Sequence, residues 1–169
     1  MFAVGFVGSS GAGKTTLMEK VVAALVRRGC SVSAIKSTHH DTDVDKPGKD
    51  SWRYRAAGAD EVILAGRDRW ALMRETPEAS VTLSELLARL SPVDIVLVEG
   101  FKSEEGIPRI GVARKAFGKP LPASSEYVAV ATDDEELELP AGAVRLPVND
   151  PEAVADFVEQ LKRQAEAQK

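Results

Sequence analysis

Residues 2–17 read FAVGFVGSSGAGKTTL. An apolar run, Phe2 to Val7, leads into Gly8-Ser9-Ser10-Gly11-Ala12-Gly13-Lys14-Thr15, which fits G-x-x-x-x-G-K-[ST], and a helical pattern follows. Gly8, Gly11 and Gly13 let the backbone turn tightly, so that successive N–H groups point into one concavity. A helix beginning near Lys14 adds unpaired N–H groups and the positive end of its dipole. Lys14 is placed to reach the β- and γ-phosphates of a nucleotide, and the Thr15 hydroxyl to ligate Mg²⁺. The alternative is a glycine-rich turn at a helix start. A strand before and a helix after the motif favour a nucleotide-phosphate site.

Working outward, Leu17, Val21, Ala24 and Leu25 recur at helical spacing, and Gly29 is a natural stop. Ser31 to Ile35 alternates and is β-branched, which predicts a second strand with Lys36 at its carboxyl end. This β–loop–α–β order opens a parallel sheet. Residues 36–51, KSTHHDTDVDKPGKDS, then hold both histidines and four aspartates with almost no apolar content. A loop leaving a strand end beside a phosphate loop is where α/β folds place ligands. His39, His40, Asp41, Asp43 and Asp45 are therefore candidates to ligate a metal or to orient an attacking water. A solvated acidic loop making turn hydrogen bonds is the alternative.

Asp50 or Ser51 is expected to cap a short helix carrying Trp52 to Arg55. Glu61 to Ala65 and Trp70 to Met73, separated by turn residues, predict a hairpin. Exposed Trp70 and Met73 would make it a dimerisation surface; an ordinary packed edge is the alternative. Thr82 and Glu85 have capping-box spacing ahead of a leucine-rich helix that Pro92 ends. Asp94 to Gly100, DIVLVEG, is the signature of a buried central strand. Glu99, at its carboxyl end, is the candidate for the Mg²⁺ shell opposite Thr15, whereas Asp94 belongs at the far end. Lys102 just beyond is placed to meet anionic ligand groups. Ile110 to Ala113 and Tyr127 to Ala131 predict further strands, and Arg114 to Ser125 a mobile surface loop. Thr132 and Asp133, at a strand end, are candidates for purine contacts, with a capping or turn role as the alternative. Asn149-Asp150-Pro151 predicts a helix start.

Composition bounds the rest. The chain has 169 residues, 44% hydrophobic and 28% charged, as in an ordinary globular protein, and is expected to form a single domain over 1–169. A formal net charge of −4 without any Lys/Arg run argues against a nucleic-acid surface. One cysteine, Cys30, excludes an internal disulfide framework, suits a reducing cytoplasm and reads as a small core residue. No run approaches the ~20 apolar residues that span a membrane, and the first residues have no basic region of a signal peptide.

Several motifs in order resemble one family. They are GSSGAGKTT (8–16), IKSTHHDTDVDKPGKDS (35–51), RWALMRETP (69–77), VEGFK (98–102), AVATD (129–133) and NDPEAVADF (149–157). Together they resemble the molybdopterin-guanine dinucleotide biosynthesis protein B (MobB) family over nearly the whole chain. The resemblance implies a P-loop NTPase-type α/β fold, a three-layer sandwich whose mostly parallel sheet has a β-hairpin extension. It also implies a GTP-binding, weakly GTP-hydrolysing accessory protein, a homodimer, that helps the molybdenum cofactor guanylyltransferase attach GMP to molybdopterin. Gly8 to Thr16 would then hold the GTP phosphates, Thr15 and Glu99 would serve Mg²⁺, and the His39–Asp45 loop would face nucleotide or pterin. Family members commonly carry a histidine where this chain has Ser37.

In such a protein Lys14 and the loop amides stabilise the charge that builds up on hydrolysis. No residue stands out as general base; His39, Asp43 and Asp45 are the candidates. The rival reading is a small-molecule P-loop kinase with Arg114, Lys115 and Lys119 as a phosphate clamp; a third is a nucleotide-binding regulator that never hydrolyses. Guanine preference has no separate warrant, because the N/T-K-x-D base-reading motif is absent.

Overall fold

The computed structural model describes residues 1–38, 45–76, 81–124 and 126–168. In chain order the elements are β1 (Phe2–Val7), α1 (Lys14–Arg27), β2 (Val32–Lys36), α2 (Asp50–Ala56), β3 (Glu61–Ala65), β4 (Trp70–Arg74) and α3 (Leu83–Arg89). They continue with β5 (Ile95–Glu99), β6 (Arg109–Ala113), a 3₁₀ turn (Lys115–Phe117), β7 (Tyr127–Thr132), β8 (Val144–Pro147) and α4 (Pro151–Ala167). The chain divides into two units, Met1–Ser37 with Leu86–Lys169, and Thr38–Glu85.

The first unit is built on a six-stranded sheet in the order β2-β5-β1-β6-β7-β8. Every neighbouring pair is parallel, so the expected α/β architecture is borne out. The central strands read as continuous apolar runs because both faces of the sheet are covered: Ile95, Val96, Leu97 and Val98 are all 0% exposed. One face packs on α1 through Leu17, Val21, Ala24 and Leu25 and on α4 through Val154, Ala155 and Val158. Each of these Leu and Val side chains contributes about 1.5–3 kcal/mol on burial. Parallel register puts the carboxyl ends of β1, β5, β2 and β6 side by side, with Phe6 opposite Glu99 and Lys36 opposite Glu99. That adjacency brings residues from distant stretches to one place.

Local chemistry sets the ends. Asp150 caps α4 by accepting from the Glu152 and Ala153 amides, both at 3.1 Å, with Pro151 in the first turn, as expected. Asp94 indeed lies at the opposite end of the sheet from Glu99, where it accepts from the Ser31 amide (2.8 Å) and hydroxyl (2.6 Å). Arg28 ties the end of α1 to α4 through Glu152, Asp156 and Glu159. Cys30 is a half-buried flank of the core rather than a full member of it.

β8 has no counterpart in the sequence-based expectations. It is four residues long, lies at the sheet edge and ends in proline, so it carries little hydrophobic periodicity; an edge position tolerates Pro147 because only one side is paired.

The second unit contains α2 and the antiparallel β3–β4 hairpin, which pairs Glu61 with Arg74 through Ala65 with Trp70. The hairpin was expected, and its turn is closed by the Gly66 amide on the Arg69 carbonyl at 2.9 Å. Ile63 and Trp70 on one face are 64% and 68% exposed; on the other Leu64 is 55% exposed, Val62 is buried and Met73, expected to be exposed, is half-buried. The capping box is present, with reciprocal bonds between the Glu85 amide and Thr82 hydroxyl and between the Thr82 amide and Glu85 carboxylate. The expected cap of α2 is not. Lys49 stands at the N-cap without a side-chain bond, Asp50 is already inside the first turn, and the Ser51 hydroxyl donates instead to Asp45 at 2.8 Å.

Candidate functional site

Between β1 and α1 the backbone turns through two left-handed glycines, Gly11 (φ 86°) and Gly13 (φ 84°). Gly8 is needed for a different reason: a Cβ there would lie 2.3 Å from the Val112 carbonyl oxygen on β6. The turn wraps the N-terminus of α1, whose first-turn amides have no intrahelical acceptors. Lys14 folds back over it, its ammonium donating to the carbonyls of Gly8 (3.0 Å) and Ser9 (3.1 Å). Partial burial lowers the Lys14 pKa; Glu99 opposes this, and the charges of Lys102 and Lys36 add to the lowering. Lys14 and Lys36 therefore stand at the mouth of the loop, within the electrostatic influence of Lys102, an arrangement suited to a polyanion.

Beside them the Thr15 hydroxyl lies 3.0 and 2.9 Å from the two carboxylate oxygens of Glu99. Glu99 is only 8% exposed, because parallel neighbours flank it on both sides of β5. Lys36, at the end of β2, completes the junction: its ammonium is 3.0 Å from Thr15 Oγ1 and 3.3 Å from Glu99 Oε1. A hydroxyl and a carboxylate are hard oxygen donors of the kind Mg²⁺ takes, with phosphate and water filling the remaining positions.

After Glu99 the chain bends sharply through Gly100 (φ 96°) and Phe101 (φ 51°). A bulky residue in the left-handed region is strained and persists only when its surroundings enforce it. Arg109, 3% exposed, does so by donating to the carbonyls of Phe101 (3.2 Å) and Lys102 (2.9 Å) and to Ser124 Oγ (3.0 Å). Ser37 packs alongside: a Cβ on Gly100 would come within 2.9 Å of the Ser37 Cβ.

The expected surface loop after β6 lies against the phosphate loop. The Ser9 hydroxyl donates to the Pro120 carbonyl at 3.0 Å, and Phe117 lies against Gly11. Arg114 lies against Gly13 and donates to Asn149 Oδ1 (2.8 Å) and Asp133 Oδ2 (3.3 Å). Asp133 also accepts from the Lys115 amide (2.8 Å), and chiefly through that bond its carboxyl is held below the usual range. Thr132 is buried and its hydroxyl accepts from the Asp134 amide at 3.0 Å, a turn role. Next to these, Thr132–Glu135 and Arg145–Asn149 line a cavity of about 480 Å³ at the carboxyl ends of β7 and β8.

Of the expected site residues, Gly8, Ser9, Gly11, Gly13, Lys14, Thr15 and Glu99 are brought together. Lys102 is felt electrostatically at Lys14. Ser10, Ala12 and Thr16 lie in the loop and first helical turn beside them. Asp45, in the second unit, is engaged by the Ser51 hydroxyl, the Lys46 amide (3.0 Å) and Arg55 (3.4 Å). His39, His40, Asp41 and Asp43 lie outside the described residues. Of the clamp cations of the kinase reading, Arg114 is bound as above and Lys115 lies 3.2 Å from Glu136. Lys36, though it lies in the quoted 35–51 segment, and Arg109 carried no expected role; their spatial partners reveal one.

Comparison with known proteins agrees with this geometry. The profile of the family described as MobB, molybdopterin guanine dinucleotide synthesis protein B, matches residues 3–133. A molybdopterin-guanine dinucleotide biosynthesis adapter protein of Haemophilus influenzae is 46% identical over 158 residues, 92% of this chain and 86% of its own. The protein of the same description in Escherichia coli is 46% identical over 159 residues, 90% and 89% of the two chains. Among solved structures, a MobB homologue from Bacillus stearothermophilus superposes with a TM-score of 0.68 at 28% identity, covering 97% of this chain and 99% of that one. Bacillus subtilis MobB gives 0.71 at 26% identity, with 95% and 97% covered. The motifs quoted from the sequence, the parallel sheet around the phosphate loop and these likenesses agree: the chain belongs to the MobB family.

Proposed function

We propose that this protein is a GTP-binding, Mg²⁺-dependent adapter in the biosynthesis of the guanine dinucleotide form of the molybdenum cofactor. The observation that carries the reading is the junction of Thr15 with Glu99 under Lys14, at the loop end of a MobB-family sheet. The loop amides and the N-terminus of α1 hold the phosphates, and Lys14 exchanges its loop carbonyls for phosphate oxygens. Bound between Thr15 and Glu99, Mg²⁺ would neutralise charge on the β- and γ-phosphates. The cavity beside Thr132, Asp133 and Asn149 supports placing the base there, and Arg114 joins that cavity to Gly13. In this reading hydrolysis is slow unless a partner supplies a missing group.

The partner in this reading is the guanylyltransferase that transfers GMP to molybdopterin, in the cytoplasm; among the described residues no helix is long and apolar enough to cross a membrane. Exposed Ile63, Leu64 and Trp70 support a homodimer formed through the hairpin. We read residues 1–169 as one functional domain despite its two units. The test is reconstitution: the protein with GTP and Mg²⁺ should raise the yield of guanine dinucleotide cofactor formed by the purified guanylyltransferase, and Lys14→Ala should not. Equal yield with and without the protein would refute the adapter role.

A further inference from the structure

We infer that Lys36 is a working residue of the nucleotide site, its ammonium holding the divalent cation's place between Thr15 and Glu99 until Mg²⁺ and nucleotide arrive. The inference rests on the nucleotide reading above and extends it to a residue that had been given no role there.

The physical requirement comes from Glu99. A carboxylate left 8% exposed is costly to keep ionised without a nearby cation. Lys14, the obvious candidate, donates instead to the Gly8 and Ser9 carbonyls. Lys36 Nζ is the cation in contact, at 3.3 Å from Glu99 Oε1 and 3.0 Å from Thr15 Oγ1. Those two oxygens are the donors read as the Mg²⁺ pair, so ammonium and metal compete for one position. The pairing is also fixed by the sheet: Lys36 lies in direct register with Glu99 on the neighbouring strand, and the Ser37 amide donates to the Glu99 carbonyl at 2.8 Å. The backbone at Lys36 is therefore held, while its side chain, 57% exposed, is free to leave. Four methylenes of reach let the displaced ammonium swing out to solvent without any backbone change.

Two consequences separate this role from simple surface charge. Without Mg²⁺, Lys36 screens Glu99 from incoming phosphates, so GTP still binds. With Mg²⁺, the metal takes over that screening and Lys36 matters less. The test is calorimetric titration of GTP into wild type, Lys36→Gln and Lys36→Arg, each with excess Mg²⁺ and with chelator. Loss of a charge-assisted contact predicts that Lys36→Gln weakens GTP binding with chelator by about ten- to a hundredfold. Its affinity with Mg²⁺ should stay within about twofold of wild type, and Lys36→Arg should restore most of the chelator value. Thermal melts of the nucleotide-free proteins report on the same pair without nucleotide: Lys36→Gln should lower the midpoint, and adding Glu99→Gln to it should recover the loss. Equal weakening with and without Mg²⁺, or none, would overturn the placeholder role while leaving the nucleotide site standing. A wild type that binds GTP under neither condition would overturn the nucleotide reading and this inference with it.

Discussion

Replacing Gly8 with alanine tests the geometry of the phosphate loop at its narrowest point. The added methyl would sit 2.3 Å from the Val112 carbonyl oxygen, where real Cβ contacts essentially never fall below 3.0 Å, so loop or strand must move by about 0.7 Å. Val112 is 1% exposed and lies in β6, hydrogen-bonded between β1 and β7, so little of that movement can come from the strand. Overpacking of this kind costs about 1–3 kcal/mol. For a chain of this size each kcal/mol lowers the melting temperature by roughly 2–4 °C, so the midpoint should fall by about 2–12 °C. The loop takes up the rest, and a misplacement approaching 1 Å at a positioned group costs up to about a hundredfold in function. Differential scanning calorimetry and GTP titration read the two effects. Gly106→Ala is the control: it has left-handed backbone (φ 94°) but nothing within 4 Å, so it should lose stability without losing nucleotide. A Gly8→Ala protein that melts with wild type and binds GTP equally would refute the close approach to Val112.

Other perturbations have definite outcomes. Asp150→Ala removes the cap of α4 and should cost about 1 kcal/mol, read as a lower denaturation midpoint; an unchanged midpoint would contradict the cap. The Ser31 hydroxyl and amide hold the Asp94 carboxyl below its ordinary range. A depressed folded pKa gives stability that is present above the unfolded value of about 3.9 and is lost as pH falls through the folded value. Asp94→Asn should therefore be less stable than wild type near neutrality, with the gap closing below about pH 4; urea midpoints across pH check this, and a pH-independent gap would contradict it. Burial, then the charge of Glu159, pushes the Cys30 thiol up. Maleimide should label it more slowly than a small free thiol at mildly alkaline pH, and equal rates would argue against that environment.

What was legible in the chain follows from physics that is local. The phosphate loop announces itself because three glycines and a lysine must keep fixed spacing to make the turn. The Asp94–Glu99 run reads as a central strand because burial on both faces leaves no polar alternation. Glu99 could be paired with Thr15 across 84 residues only because the strand-end rule for such folds places them together. The unread parts lack a local signal. β8 is short and closes an edge, and the cap of α2 was forestalled by the bond between Ser51 and Asp45. Arg109 looks like an ordinary strand residue until its donors meet the Phe101 and Lys102 carbonyls. Lys36 was seen at its strand end, but its meaning depends on which strand lies next to it, and the order β2-β5-β1 is a property of the sheet as a whole.

The central claim is that the loop, Lys14, Thr15 and Glu99 form a Mg²⁺-dependent GTP site. Calorimetric titration of GTP and ATP into wild type and Lys14→Ala, with and without Mg²⁺, tests it most directly. GTP-selective binding that Mg²⁺ strengthens and Lys14→Ala abolishes is the expected result. Equal or tighter binding of ATP, or GTP binding that survives the loss of Lys14, would contradict it.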